Sequence, residues 1–272
     1  MLLTRVLTAL ALLPLVVAAI LWLPTDAIAV VAGGAFAIGA WEWGRLLDFR
    51  TRQARAVCAA IAIAGFAGLW WLPAQHPIPR ALMAAAVIWW LCVVLWIARF
   101  PRGWEASLGR RPLAAALGVV VLGATFLAIL AVHDRADGPA LLLLLFVLTW
   151  AADTGAYFSG RFLGRHKLAP RVSPGKTWEG AAGGVALATL AAALGGWWLG
   201  HGGAALAAWA LLGAVVAAIS ILGDLTISMF KRSAGLKDAG QLFPGHGGIL
   251  DRLDSLLAAA PVYAAGLAML PA

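Results

Sequence analysis

Charge is what this chain has least of. Only 12% of its 272 residues are Asp, Glu, Lys or Arg, 63% are hydrophobic, and the mean hydropathy is +0.91. A soluble domain of this size is about half apolar, so a water-soluble globule is excluded. Cysteine is nearly missing: Cys58 and Cys92 both lie in apolar runs. Two such thiols read as reduced and buried, which excludes a disulfide framework, and no Cys/His set has zinc spacing. No long polar linker interrupts the sequence and no internal repeat is visible, so residues 1–272 are expected to form a single membrane domain. The net charge of +8 does not call for nucleic acid. In a membrane protein, basic residues gather in cytoplasmic loops and face anionic lipid.

What is present is apolar sequence in long runs. Nine segments stand out, roughly 6–23, 27–44, 56–72, 81–98, 113–132, 139–160, 178–199, 204–230 and 253–270. A bilayer core takes about 20 apolar residues per helix, and lipid offers no partners to open strand edges. The expected fold is therefore all-α: a polytopic integral membrane bundle of about nine transmembrane helices. The first run, with Arg5 before it and Ala27-Ile28-Ala29 after it, loosely resembles a signal peptide. At about 18 residues it exceeds the usual apolar core of about 7–15, so it is read as the first span. With the N-terminus cytoplasmic, 18 of the 20 basic residues fall on the inner side, and only Arg80 and Arg135 fall outside. That asymmetry supports both the orientation and an odd number of spans. Trp22, Trp70, Trp71, Trp104 and Trp178 flank helix ends, as an interfacial belt requires. The Ala/Leu/Gly-rich stretches are material for helix packing.

The scarce charges are concentrated. From Ser228 to Asp254 the chain reads SMFKRSAGLKDAGQLFPGHGGILDRLD, and eight of these 27 positions are Lys231, Arg232, Lys237, Asp238, His246, Asp251, Arg252 and Asp254. Asp224 lies seven residues before Lys231 inside an apolar run. Asp251 and Asp254 are three apart and share a helix face. An ionised carboxylate in lipid is costly unless it is paired or metal-bound. Carboxylates beside cations and a glycine loop suit phosphate and a hard cation such as magnesium, which takes one or two carboxylates plus substrate phosphates. His246 can bind phosphate or act as an acid, and in a PGHGG turn it can equally cap backbone groups. Glu42 in the second run is a further buried-acid candidate, with Arg45 three residues on as its expected partner.

A second segment runs from Asp153-Thr-Gly-Ala-Tyr-Phe-Ser-Gly-Arg161 to Ser173-Pro-Gly-Lys-Thr-Trp-Glu179, with five basic residues between Arg161 and Lys176. Gly175-Lys176-Thr177 invites comparison with a nucleotide-binding P-loop. That motif needs glycine where Pro170 stands, and no strand is expected before it. A phosphate-binding loop of another design fits better, with Ser173 and Thr177 as hydroxyl donors near Lys176. Both elaborate loops fall on the cytoplasmic side.

These residues resemble a known family. Lys231-Arg232, Lys237-Asp-x-Gly and Pro244-Gly-His-Gly-Gly-x-x-Asp-Arg-x-Asp-Ser255 are similar to the signature of the phosphatidate cytidylyltransferases, or CDP-diacylglycerol synthases. Ser220-x-x-Gly-Asp224, Asp153-Thr-Gly-Ala-Tyr-x-x-Gly-Arg161 and Ser173-Pro-x-Lys-Thr-x-Glu-Gly180 fit as well. The signature occupies 220–255 and the second motif 153–180. Gly175 departs from the pattern, which has a polar or basic residue there. The resemblance implies conversion of CTP and phosphatidic acid to CDP-diacylglycerol and pyrophosphate. It implies Mg2+, a second, monovalent ion such as K+, and a homodimer in the inner (plasma) membrane whose active site faces the cytoplasm. Carried onto this chain, it implies Asp224 and Asp251 as metal ligands with Asp254 in support, and Lys231 and Arg232 as grips on phosphate. Ser173, Lys176, Lys167, Thr177, Ser228, Lys237, His246 and Asp153 would complete the substrate site. A secondary transporter would account for Asp153 and Asp224 but not for the dense loop. A CTP-using polyprenol or phytol kinase would transfer the γ-phosphate instead of CMP. The DGxxAR segment of the CDP-alcohol phosphotransferases is absent.

Overall fold

The computed structural model of the chain describes residues 2–73, 76–102, 111–243 and 247–270; the side chains of residues 2–9 and 11 are not described. Among these residues nine helices follow one another: α1 Leu2–Trp22, α2 Thr25–Leu46, α3 Arg52–Trp71, α4 Pro77–Arg99, α5 Arg111–His133, α6 Gly138–Leu163, α7 Trp178–Trp198, α8 Ala204–Ser233 and α9 Leu250–Leu267. Each coincides with one of the nine apolar runs. Local chemistry sets several starts. Thr51 caps α3 by accepting from the Ala54 amide, and Thr177 caps α7 by accepting from the Gly180 amide. Proline stands in the first turn of α4 and of α6, where no amide donor is needed.

Seven helices, α2 to α8, are long and apolar enough to cross a membrane. The described apolar part of α1 is shorter, Leu12–Trp22. α9 begins with Asp251, Arg252 and Asp254. The all-α expectation needs one amendment. Between α6 and α7 lies an antiparallel hairpin, β1 Lys167–Ala169 and β2 Ser173–Thr177, with Lys167 opposite Thr177 and Ala169 opposite Ser173. A strand pair is possible here because this polar connection projects beyond the spans, where water can satisfy its edges.

Helices α6, α7, α8 and α9 pack in chain order, α5 packs on α9, and α2 packs on α3 and α5. Small residues let these backbones approach closely. A methyl added at Gly155 of α6 would lie 3.0 Å from the Cα of Gly184 on α7, and one at Gly223 of α8 would lie 2.9 Å from the Ala258 Cβ on α9. Phe36, Trp90, Phe126, Phe230 and Tyr263 are fully buried at the centre. Tyr263 donates to the Leu141 carbonyl at 3.0 Å and Thr125 to the Leu257 carbonyl at 3.0 Å. Interhelical bonds of this kind contribute about 0.6 kcal/mol each on average. Of α3, only Phe66 is buried; Ala62, Leu69 and Trp70 are half-buried where the helix packs on α2 and α5, and its other face is exposed. The glycine seams carry Asp153 on α6, Lys176 ahead of α7, Asp224 on α8 and Asp254 on α9 to one end of the bundle.

Candidate active site

Both motifs meet around one cavity. Its volume is about 460 Å³, and its walls include Asp153, Tyr157 and Arg161 from α6, Lys176 and Thr177 from β2, and Asp224 from α8. The Lys176 Nζ lies 2.5 Å from the Asp224 Oδ2, and Ser228, one turn further along α8, donates its hydroxyl to the Asp224 Oδ1 at 3.2 Å. About a quarter of the Lys176 and Asp224 side chains remains exposed, 26% and 27%, so the pair is reachable from the cavity. Asp153 is exposed into the same space and lies within electrostatic reach of Asp224, Lys176 and Arg252.

The hairpin explains how Lys176 arrives there. The pairing of β1 with β2 fixes its strand, and Thr177 ends the strand by capping α7. Glu179, in the first turn of α7, accepts from the Arg165 and His166 amides at 3.1 and 3.2 Å. That carboxylate ties the end of α6 to the start of α7, so the lysine is presented from a connection anchored at both ends.

A second cluster adjoins the first. Asp254 lies within electrostatic reach of Asp224, Lys231 and Asp153. The Lys231 Nζ lies 2.7 Å from the Asp251 Oδ1. The Asp251 Oδ2 accepts from the Ala239 and Gly248 amides at 2.8 and 2.9 Å. Asp251 thus already joins the end of α8, the signature loop and the start of α9.

The expected site residues do not all converge. Asp153, Lys176, Thr177 and Asp224 line the cavity. Ser228 bonds to Asp224 in its wall, Asp254 lies within electrostatic reach of Asp224, and Lys231, paired with Asp251, lies within electrostatic reach of Asp254. Ser173 and Lys167 sit on the hairpin and do not line it. Arg232 and Lys237 are exposed, Arg232 donating to the Leu236 carbonyl at 3.4 Å. His246 lies outside the described residues. Tyr157 and Arg161, which stand in the second motif without an assigned role, also line the cavity. They follow Asp153 at steps of four, the spacing that places side chains on one helical face, and Arg161 donates to the Tyr157 hydroxyl at 2.6 Å.

The expected Glu42–Arg45 pairing is replaced by another arrangement. The Glu42 carboxylate accepts from the Ile249 and Leu250 amides at 3.1 and 2.9 Å, and Arg45 donates to the Ala239 carbonyl at 3.4 Å. The first amides of a helix lack intrahelical partners, and a carboxylate there is favoured by charge-assisted bonds and by the helix dipole.

Sequence comparison finds relatives along the whole chain. The profile of the cytidylyltransferase family matches residues 3–270. A phosphatidate cytidylyltransferase of Pseudomonas aeruginosa is 42% identical over 267 residues, covering 97% of this chain and 96% of that one. The phosphatidate cytidylyltransferase of Haemophilus influenzae is 37% identical over 283 residues, covering 97% of each. That of Synechocystis is 49% identical over 137 residues, covering 47% of this chain and 44% of its own. With the match running through all nine helices and both motifs, the chain belongs to the cytidylyltransferase family.

Proposed function

We propose that this protein is a phosphatidate cytidylyltransferase, which joins CTP and phosphatidic acid to give CDP-diacylglycerol and pyrophosphate. The observation that carries the reading is the cavity where Lys176 and Asp224, one from each motif, meet beside Asp153. A phosphate oxygen of phosphatidate attacks the α-phosphorus of CTP. A P–O–P linkage forms, the bond to the β-phosphate breaks, and its electron pair leaves with pyrophosphate. The attacking oxygen is already anionic, so no strong general base is required. The demanding step is to bring two polyanions together and to stabilise charge on the leaving group, which positioned cations do.

The two lysines are suited to this task. Each is held against a carboxylate in the free protein, Lys176 by Asp224 and Lys231 by Asp251. Incoming phosphates take over the lysines, and the carboxylates become available to a cation. Among the described residues, no group of three or more His, Cys, Asp or Glu side chains forms a metal site unaided. Two neighbouring carboxylates, Asp224 and Asp254, fit a hard cation that completes its shell with substrate phosphate. These two would hold Mg2+, with Asp251 joining once Lys231 turns to phosphate. Bound there, the ion supplies charge neutralisation at the leaving pyrophosphate.

The same reading gives nine spans with a cytoplasmic N-terminus, since 18 of 20 basic residues then lie inside. CTP enters from the cytoplasm and phosphatidate from the inner leaflet. The bacterial relatives support placement in an inner membrane, and the resemblance supports a homodimer. Pyrophosphate release by the purified protein in detergent tests the function. Release should require CTP and phosphatidate together; release with CTP alone, or none with both, would contradict the proposal.

A further inference from the structure

Glu42 is a charged residue deep in the bundle, only 4% exposed, and belongs to neither motif. Its two oxygens accept from the amides of Ile249 and Leu250, at 3.1 and 2.9 Å. These amides open α9, and Ile249, at the cap position of that helix, has no side chain able to cap it. The missing cap is supplied from α2, more than 200 residues earlier. The signature loop is moulded to the same carboxylate: a Cβ at Gly240 or Gly248 would overlap it. One turn along α2, Arg45 donates to the Ala239 carbonyl, while the Ala239 amide is held by Asp251.

We propose that Glu42 is a positioning residue for the reaction: a carboxylate cap lent by α2 that sets where α9 begins, and thereby where Asp251 and Asp254 stand relative to Lys231 and Asp224. The proposal rests on placing those carboxylates in the active site. A carboxylate is required because both amides need an acceptor. Glutamine offers one oxygen and turns an NH2 group toward the other amide. Aspartate is one methylene too short to reach both from the same backbone position.

Two readouts of Glu42→Gln test this. Hydrogen exchange should quicken by about tenfold or more in the peptide covering residues 247–253, and stay unchanged within α7. The kcat should fall about tenfold or more while the KM for CTP shifts less than about threefold, because Lys176 and Thr177 sit on an undisturbed connection. A residue needed only for folding would instead lower the amount of intact enzyme and leave its kcat alone. Wild-type kcat in monodisperse Glu42→Gln, or unaltered exchange at 247–253, would overturn the proposal. If Glu42→Gln does not accumulate, Gly240→Ala presses on the same carboxylate from the loop side and should show the same loss of kcat. Normal kcat there, or rapid exchange at 247–253 in the wild type, would overturn the proposal equally. Full activity in Asp224→Asn and Asp251→Asn would instead remove the site assignment and leave the exchange result standing.

Discussion

Replacing Lys231 by methionine should destabilise the protein more than replacing its partner. The Lys231 Nζ and Asp251 Oδ1 are 2.7 Å apart, with 12% and 5% of the side chains exposed. At an effective dielectric near 20, charges at that separation attract by about 6 kcal/mol. Desolvation offsets part of this, and removing one partner of a buried pair typically costs about 3–5 kcal/mol. Lys231→Met keeps the length and apolar stem but strands the Asp251 charge, so a loss of about 3 kcal/mol is expected. For a chain of this size that corresponds to roughly 5 °C in Tm. Asp251→Asn is milder, because the amide oxygen can still accept from Ala239 and Gly248. The double variant carries no stranded charge and should lose about 2 kcal/mol less than the two single losses combined. Thermal denaturation of the three variants in one detergent, at one scan rate, measures this. Additivity within about 0.5 kcal/mol would show that the two side chains are not coupled.

Further outcomes follow from the site. Lys176→Gln should lower kcat/KM for CTP by about tenfold or more, roughly 1.4 kcal/mol, while Arg52→Gln, exposed at the start of α3, should be nearly silent; equally small effects in steady-state kinetics would make both residues topology determinants only. Asp224→Asn should abolish most turnover in protein that remains monodisperse, and chelator should do the same to the wild type; near-normal rates in either would remove the metal assignment. A cysteine placed at Gly202, between α7 and α8, should react with an impermeant thiol reagent from the outer side. Labelling only from the cytoplasm would reject the nine-span topology.

The helices were legible because lipid imposes a simple rule. Residues 204–230 had to be helical, and the helix Ala204–Ser233 extends only three residues beyond that run. The hairpin was not legible: β1 is three residues long, and Ser173-Pro-Gly-Lys-Thr lacks apolar alternation, so nothing local marks a strand. Scarce charge marked two separate clusters, and the resemblance placed Lys176 and Asp224 in one site; their direct pairing was not legible. The Glu42 cap was hidden for a different reason. Its partners are backbone amides at the far end of the sequence, and spacing rules along α2 suggested Arg45 instead. Tyr157 and Arg161 were visible in principle, since steps of four from Asp153 put them on its face.

In the proposed reaction CMP, and not a terminal phosphate, moves to the lipid. Purified protein should be given phosphatidate with CTP labelled at either the α- or the γ-phosphorus, and the lipid extracted. Transfer of CMP puts α-label in the lipid and γ-label wholly in released pyrophosphate. γ-Label in the lipid, with α-label left in a soluble nucleotide, would make the protein a kinase and contradict the account.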